Sequence, residues 1–258
     1  MDVEGIGRAI DKYVRPGTFP LAIRMVSSAE EIPGKVKMPR RDMGTTMPVC
    51  QGIALARRYG WTMVLGTEDM LCPPGAVMLG LLPAKGKFLD GSYSVPPWIA
   101  DQEIRARIMQ NMPRLEEGKY SYFMAAPLER AEFEPQVILV YGSPAQISRL
   151  IQANIYGTGE PASSTSVGAL SCASEIARPI LTDRCQYIVA GGGNRSMAQV
   201  QDNEISFAIP ISQAEAIAVG LEETHKRGMR YPTPSFLTFQ AEFPPDFARL
   251  VDYLREDG

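Results

Sequence analysis

The chain has a single histidine, His225, and only four cysteines in 258 residues. One imidazole excludes the histidine-rich zinc and non-haem iron sites, which need two or more. It also confines any Ser-His-Asp or Cys-His pairing to the segment Glu222-Glu223-Thr224-His225-Lys226-Arg227, whose polarity marks the end of a surface helix. No stretch reaches the roughly 18 consecutive apolar residues of a membrane span. Met1 to Ala9 carries Asp2 and Glu4 and no apolar core, so it does not read as a signal peptide. No basic run exceeds Arg40-Arg41 or Arg57-Arg58, and a net charge of −3 exerts no long-range pull on nucleic acid. Together these absences predict a cytoplasmic protein with neither a membrane nor a nucleic-acid partner. Thiols stay reduced in that compartment, so the four cysteines are not a disulfide framework and weight moves to metal, cofactor or catalytic roles.

What is present is enough apolar residue, 45%, for a proper core in one domain. Apolar spacing predicts helices over Met1–Val14, Pro48–Tyr59, Asp101–Met112, Ser143–Ile155, Gly168–Leu181, Ser212–Thr224 and Asp246–Leu254. Strands are predicted at Leu21–Val26, Trp61–Leu65, Tyr120–Ala125, Val137–Tyr141, Tyr187–Ala190 and Glu204–Ile209. Helices and strands alternate with no linker-like composition and no repeat. The expected fold is a single α/β or α+β domain spanning 1–258, a mixed sheet flanked by helices. The Pro-rich, aromatic stretch Met229–Pro245 reads as a packing arm or a subunit contact.

Three cysteines sit at element ends beside turn residues: Cys50 in Met47-Pro48-Val49-Cys50-Gln51, Cys72 in Met70-Leu71-Cys72-Pro73-Pro74-Gly75, and Cys172 in Ala169-Leu170-Ser171-Cys172-Ala173-Ser174. A structural cysteine is a small buried hydrophobe and lies mid-element. Cys50 and Cys172 fall in predicted first turns of helices, where backbone N–H groups and the macrodipole lower a thiol pKa. Cys72 precedes Pro-Pro-Gly, expected to be a stiff turn that offers its sulfur to a pocket. The spacings of 22 and 100 residues match no ferredoxin or zinc-ribbon rule, so convergence must come from the tertiary fold. Three thiolates suit a [4Fe–4S] cluster with one iron open, or with one oxygen or nitrogen ligand. Structural zinc wants four closed ligands. Cys185 could be the fourth, but Asp183-Arg184-Cys185-Gln186-Tyr187 reads as the start of a strand and Cys185 as a packed or surface thiol.

Gly191-Gly192-Gly193-Asn194-Arg195 follows a predicted strand. It has neither the spacing of a dinucleotide fingerprint nor the Lys-Ser/Thr of a P-loop. It is read either as a bulged hairpin turn or as a contact to an anion or cofactor, with Arg195 a bidentate donor. Glu68 and Asp69 are acid/base candidates or helix caps. Asp202, Asn203 and Glu204 read as a solvated turn, and Gln146 and Asn154 as satisfied surface polars.

As a set, several of these stretches resemble the ArCR family of archaeal and bacterial proteins, a domain of unknown function. They are Pro20-Leu21-Ala22-Ile23-Arg24, Cys50 through Ala54-Leu55-Ala56-Arg57 and Gly60, Thr67-Glu68-Asp69 with Cys72-Pro73-Pro74-Gly75 and Leu79-Gly80, Pro127-Leu128, Phe133-Glu134-Pro135, Gly142-Ser143-Pro144-Ala145-Gln146, Ser171-Cys172-Ala173, Gly193-Asn194-Arg195, and Asp202-Asn203-Glu204 with Ile209-Pro210. They run in order from about residue 18 to 222. The resemblance implies a cytoplasmic prokaryotic protein, many relatives being from anaerobes, with no established activity. It places the family's cysteine positions on Cys50, Cys72 and Cys172, and not on Cys185. Relatives often vary among the glycines before the arginine, so the loop carries over only at Arg195.

The functional expectation is a redox or metal-binding protein in which Cys50, Cys72 and Cys172 hold an iron–sulfur cluster, with Gly193, Asn194 and Arg195 around it or on an anionic substrate. The alternative is a thiol-dependent enzyme or small-molecule binding protein without metal. A third class is an interaction protein with inert cysteines. The partner expected is a small-molecule substrate or an electron-transfer protein, and a homo-oligomer is open.

Overall fold

The computed structural model describes residues 2–93, 96–233 and 245–256. The first half of the chain forms α1 (Val3–Tyr13), β1 (Leu21–Val26), α2 (Pro39–Met43), α3 (Val49–Tyr59), β2 (Met63–Gly66), α4 (Pro73–Met78), α5 (Gly86–Leu89), α6 (Gln102–Asn111) and β3 (Tyr122–Pro127). The second half adds β4 (Val137–Gly142), α7 (Pro144–Thr158), α8 (Arg178–Thr182), β5 (Gln186–Val189), α9 (Gly192–Ala198), β6 (Ile205–Pro210), α10 (Ala214–Lys226) and α11 (Pro245–Glu256). Most of the expected Pro-rich arm lies outside the described residues.

The strands form one six-stranded sheet in the order β2-β3-β1-β4-β6-β5. The expected combination of helices and strands holds. Every pairing within the sheet is antiparallel, where a mixed sheet was expected, and among the described residues parallel pairing is confined to two isolated bridges, Lys37 with Met63 and Met47 with Met70. Two helical connections, β1 to β2 and β4 to β5, return the chain to a non-adjacent position, so alternation of elements in sequence did not dictate parallel neighbours.

Strand periodicity divides the core in two. On β4, Val137, Leu139 and Tyr141 join one cluster, and Ile138 and Val140 the other. On β6, Ala208 takes the first face, and Phe207 and Ile209 the second. The second face is covered by α1, α7 and α10 through Ile6, Ile10, Ile147, Leu150, Ile217 and Leu221. A side chain at Gly220 of α10 would run into the Ala153 carbonyl of α7, so glycine there permits the close approach of these two helices. Ser143 and Gln146 form a capping box at the start of α7. Gln146 is buried rather than a surface polar, because its amide also reaches back to the carbonyls of Val14 and Arg15 at the end of α1. The first face is covered by α3 and α4 and by the segment holding Cys172 and Ile176.

Candidate functional site

Each of the three cysteines lies at the start of a helical segment on the same face of the sheet. Cys50 is the second residue of α3, after Pro48 at the N-cap. Cys72 is the N-cap of α4. The Pro73-Pro74-Gly75 run is the first turn of that helix, not the free-standing turn expected, because proline is tolerated where a helix leaves its N–H groups unbonded anyway. Cys172 precedes a π turn, Ala173–Ala177, in which the Arg178 N–H bonds back to the Ala173 carbonyl. Pro179 accounts for this turn. It lacks the N–H that would bond to the Glu175 carbonyl, and its ring would press on that carbonyl in a regular helix. Widening the turn relieves the clash, and Glu175 within it is fully buried.

Glycine 75 shows how close two of the sulfurs come. A Cβ at that position would lie 3.4 Å from Cys72 Sγ and 3.7 Å from Cys172 Sγ, so both sulfurs flank one point that glycine leaves open. Cys50 belongs to the same group electrostatically. Burial pushes its thiol from 9.0 up to about 12, and the charges of Glu175 and Cys72 push the same way. Cys172 is raised well above 9.0 by burial and then by Cys72, Cys50 and Glu175. Helix-start placement was expected to lower these values. Desolvation and mutual repulsion overwhelm the helix dipole here, and without a cation the thiols of Cys50 and Cys172 hold their protons at neutral pH. Among the described residues, no group of three or more His, Cys, Asp and Glu side chains is gathered as the ligand set of one metal ion. Cys185 stands apart, on the other core cluster beside β5, and burial followed by the charge of Asp183 raises its thiol to about 12.

Beneath the cysteines sits a buried polar network that the sequence did not disclose. Glu175 is fully buried, and its Oε1 accepts from Ser206 Oγ at 2.8 Å, Tyr141 Oη at 2.9 Å and Asn194 Nδ2 at 3.3 Å. Burial raises its pKa, and these bonds together with the charge of Arg57 only partly oppose the rise. Tyr141 is likewise held protonated by burial and by Glu175. Arg57, 1% exposed, stacks its guanidinium 4.2 Å from the centre of the Tyr141 ring. It makes a bidentate pair with Glu204, Nη1 to Oε1 at 2.8 Å and Nη2 to Oε2 at 2.9 Å. Burial alone would raise the Glu204 carboxyl, but hydrogen bonds from Arg57 and from the Gln201 N–H, with the charges of Arg57 and Arg58, bring it below its usual range. Glu204 is therefore an internal counter-ion and not part of a solvated turn.

The glycine segment is neither a hairpin turn nor an open loop, since Gly192 begins α9. Two of its three singled-out residues reach the site. The Gly193 carbonyl lies 4.0 Å from Cys50 Sγ, a long contact for the thiol, and the buried Asn194 amide donates to Glu175. Arg195 does not. Its Nη1 pairs with Asp202 at 2.6 Å and its Nε reaches the Ala190 carbonyl. Asp69 is a buried cap as anticipated, accepting from the N–H groups of Arg40 at 2.9 Å and Gly66 at 3.0 Å. His225 packs 4.9 Å from the Tyr13 ring, away from the cysteines, instead of standing free in solvent.

The profile of the uncharacterised ArCR family matches residues 9–220. An uncharacterised protein of Methanocaldococcus jannaschii is 24% identical over 205 residues, covering 78% of this chain and 86% of the relative. No solved structure matches. Among the described residues, no helix is long and apolar enough to cross a membrane.

Proposed function

We propose that this chain, which belongs to the ArCR family, is an iron–sulfur protein with a redox role, in which Cys50, Cys72 and Cys172 hold a [4Fe–4S] cluster. The observation that carries the reading is the open point at Gly75, flanked by the sulfurs of Cys72 and Cys172, with Cys50 coupled to both by charge. A single tetrahedral ion would need its sulfurs within about 4 Å of one another, given bonds near 2.3 Å, and among the described residues no side chains are gathered that way. A cluster binds each thiolate on a separate iron and spreads them wider. Such a centre supplies one-electron chemistry and, with three protein ligands, an iron able to take a substrate atom.

The protein's own groups fit that assignment. Cys50 and Cys172 carry protons in the absence of a cation, so loading the centre releases protons and depends on pH. Gly193 presents a carbonyl toward Cys50. Glu175, braced by Tyr141, Ser206 and Asn194, is the acidic group nearest in role to the thiols, and its charge acts on both Cys50 and Cys172. The small-molecule substrate or electron partner of the centre is proposed only as a class. The alternative of an activated thiol nucleophile fares worse at Cys50 and Cys172, whose protons are held more tightly than in a free thiol.

The test is anaerobic reconstitution with iron and sulfide, followed by visible absorption and iodoacetamide labelling under native conditions. The reading expects a brown protein in which Cys50, Cys72 and Cys172 are shielded until the iron is chelated. A colourless protein with unchanged labelling would count against it.

A further inference from the structure

A cavity of about 610 Å³ lies away from the cysteines, lined by residues of α1, of the Pro16–Pro20 segment leading into β1, of the end of α3 and of the turn after β3. Its size falls within the roughly 300–1,000 Å³ of small-molecule sites. Phe19 and Leu128 give it apolar wall.

Two sets of charged groups line it from different elements. Arg57 and Arg58 come from α3. Their existing bonds leave donors over: Arg57 spends Nη1 on Glu204 and Thr18 and Nη2 on Glu204, whereas Arg58 spends Nη2 on the Gln199 carbonyl at 2.9 Å and on Glu204 and keeps Nη1 unbonded among the described residues. A guanidinium offers five donors, so the partly exposed Arg58 keeps N–H groups for a ligand oxygen, with the Arg57 charge behind it. Asp11 comes from α1 and Glu129 from the turn after β3. Asp11 has no hydrogen bond or ion pair among the described residues, and its carboxyl is pushed up by burial and then by the charge of Glu129. The nearby cations are committed, Arg8 to Asp2 and Glu4, and Arg130 to Glu129. Asp11 therefore faces a like charge with no cation of its own.

We propose that this cavity binds a small zwitterion, with an anionic oxygen group toward Arg57 and Arg58, a protonated amine toward Asp11 and Glu129, and an aliphatic body against Phe19 and Leu128. The acidic pair rejects a simple carboxylate and the arginine pair rejects a simple amine, so both charges are required together. The site is separate from the cysteine centre, and its test does not depend on metal loading.

The experiment is calorimetric titration of the full chain with 6-aminohexanoate, hexanoate and hexylamine. The zwitterion should bind at least about tenfold more tightly than either half-ligand. Asp11→Asn should weaken 6-aminohexanoate by about tenfold while strengthening hexanoate, which no longer meets the full acidic pair. Arg58→Gln should weaken 6-aminohexanoate and hexanoate alike and spare hexylamine. Both positions lie away from the buried core, and circular dichroism verifies that the variants fold. Absence of binding by all three probes, equal binding of zwitterion and half-ligands, or variants indistinguishable from the parent chain would each overturn the proposal.

Discussion

Tyr141 and Ser206 are directly opposed across the β4–β6 pair, and both hydroxyls donate to the same oxygen of Glu175. The register of the sheet thus builds the floor of the cysteine site. A one-residue slip of β6 would turn Ser206 to the opposite face, under α7 and α10, and take from Glu175 one of its two hydroxyl partners on the sheet.

Truncating Glu175 should consequently be costly. Glu175→Ala leaves the Tyr141, Ser206 and Asn194 donors buried and unpaired and opens a void, so stability should fall by about 2–4 kcal/mol. Glu175→Gln keeps the shape and an accepting oxygen and should cost less. Urea unfolding of the two variants measures the difference, and an alanine variant as stable as the parent would remove the network from the account.

The Arg57–Glu204 pair carries a directional pH prediction. Glu204 has its folded pKa depressed below the ordinary 4.5, so its contribution is present above that value and is lost as pH falls through the folded pKa. Glu204→Ala strands the buried Arg57 charge and should cost about 3–5 kcal/mol near neutrality. Glu204→Gln should flatten the acid limb of the stability profile. Unfolding midpoints collected across the acid range test both statements.

Cys50 shifts the other way. Burial pushes its folded thiol from the 9.0 of a free thiol up to about 12, so the stability linked to its retained proton is present below 9.0 and is lost as pH rises toward 12. Metal-free protein should show slow alkylation of Cys50 through pH 9.0 and a rising rate only above it. Mass-spectrometric labelling rates across alkaline pH, with urea-unfolded chain as the control, give the curve.

Gly75→Ala fills the point between Cys72 and Cys172. The added carbon meets the two sulfurs at 3.4 and 3.7 Å, ordinary contact distances, so the cluster-free fold should tolerate the change with little loss of stability. Iron loading should fall several-fold because the new side chain occupies the space the centre needs. Comparing iron content with the urea midpoint separates the two effects, and full loading would show that the centre lies elsewhere.

The parts of this arrangement legible in the sequence were those fixed locally. β1 spans the expected residues, and α3 begins and ends within a residue of its expected limits because Pro48 and Gly60 punctuate it. The helix-start positions of Cys50 and Cys172 were legible as well. The buried network did not, since it depends on which strands become neighbours. Two signals were nevertheless present. Arg57 lies four residues after Ile53, on the apolar stripe of α3, where a charge needs a buried partner. Pro179 inside an expected helix marks the turn that must widen just before it, and Glu175 sits in that turn. The lowered thiol pKa failed as an expectation because local dipoles can be read from a helix start, whereas desolvation depends on everything that later packs over it.

The most direct measurement is iron and acid-labile sulfide per chain in anaerobically reconstituted parent protein and in four single variants, Cys50→Ser, Cys72→Ser, Cys172→Ser and Cys185→Ser. The account predicts about four of each per parent chain, sharp loss in the first three variants, and parent-like content in Cys185→Ser. Iron-free parent protein, or loading that survives all three of those substitutions, would contradict it.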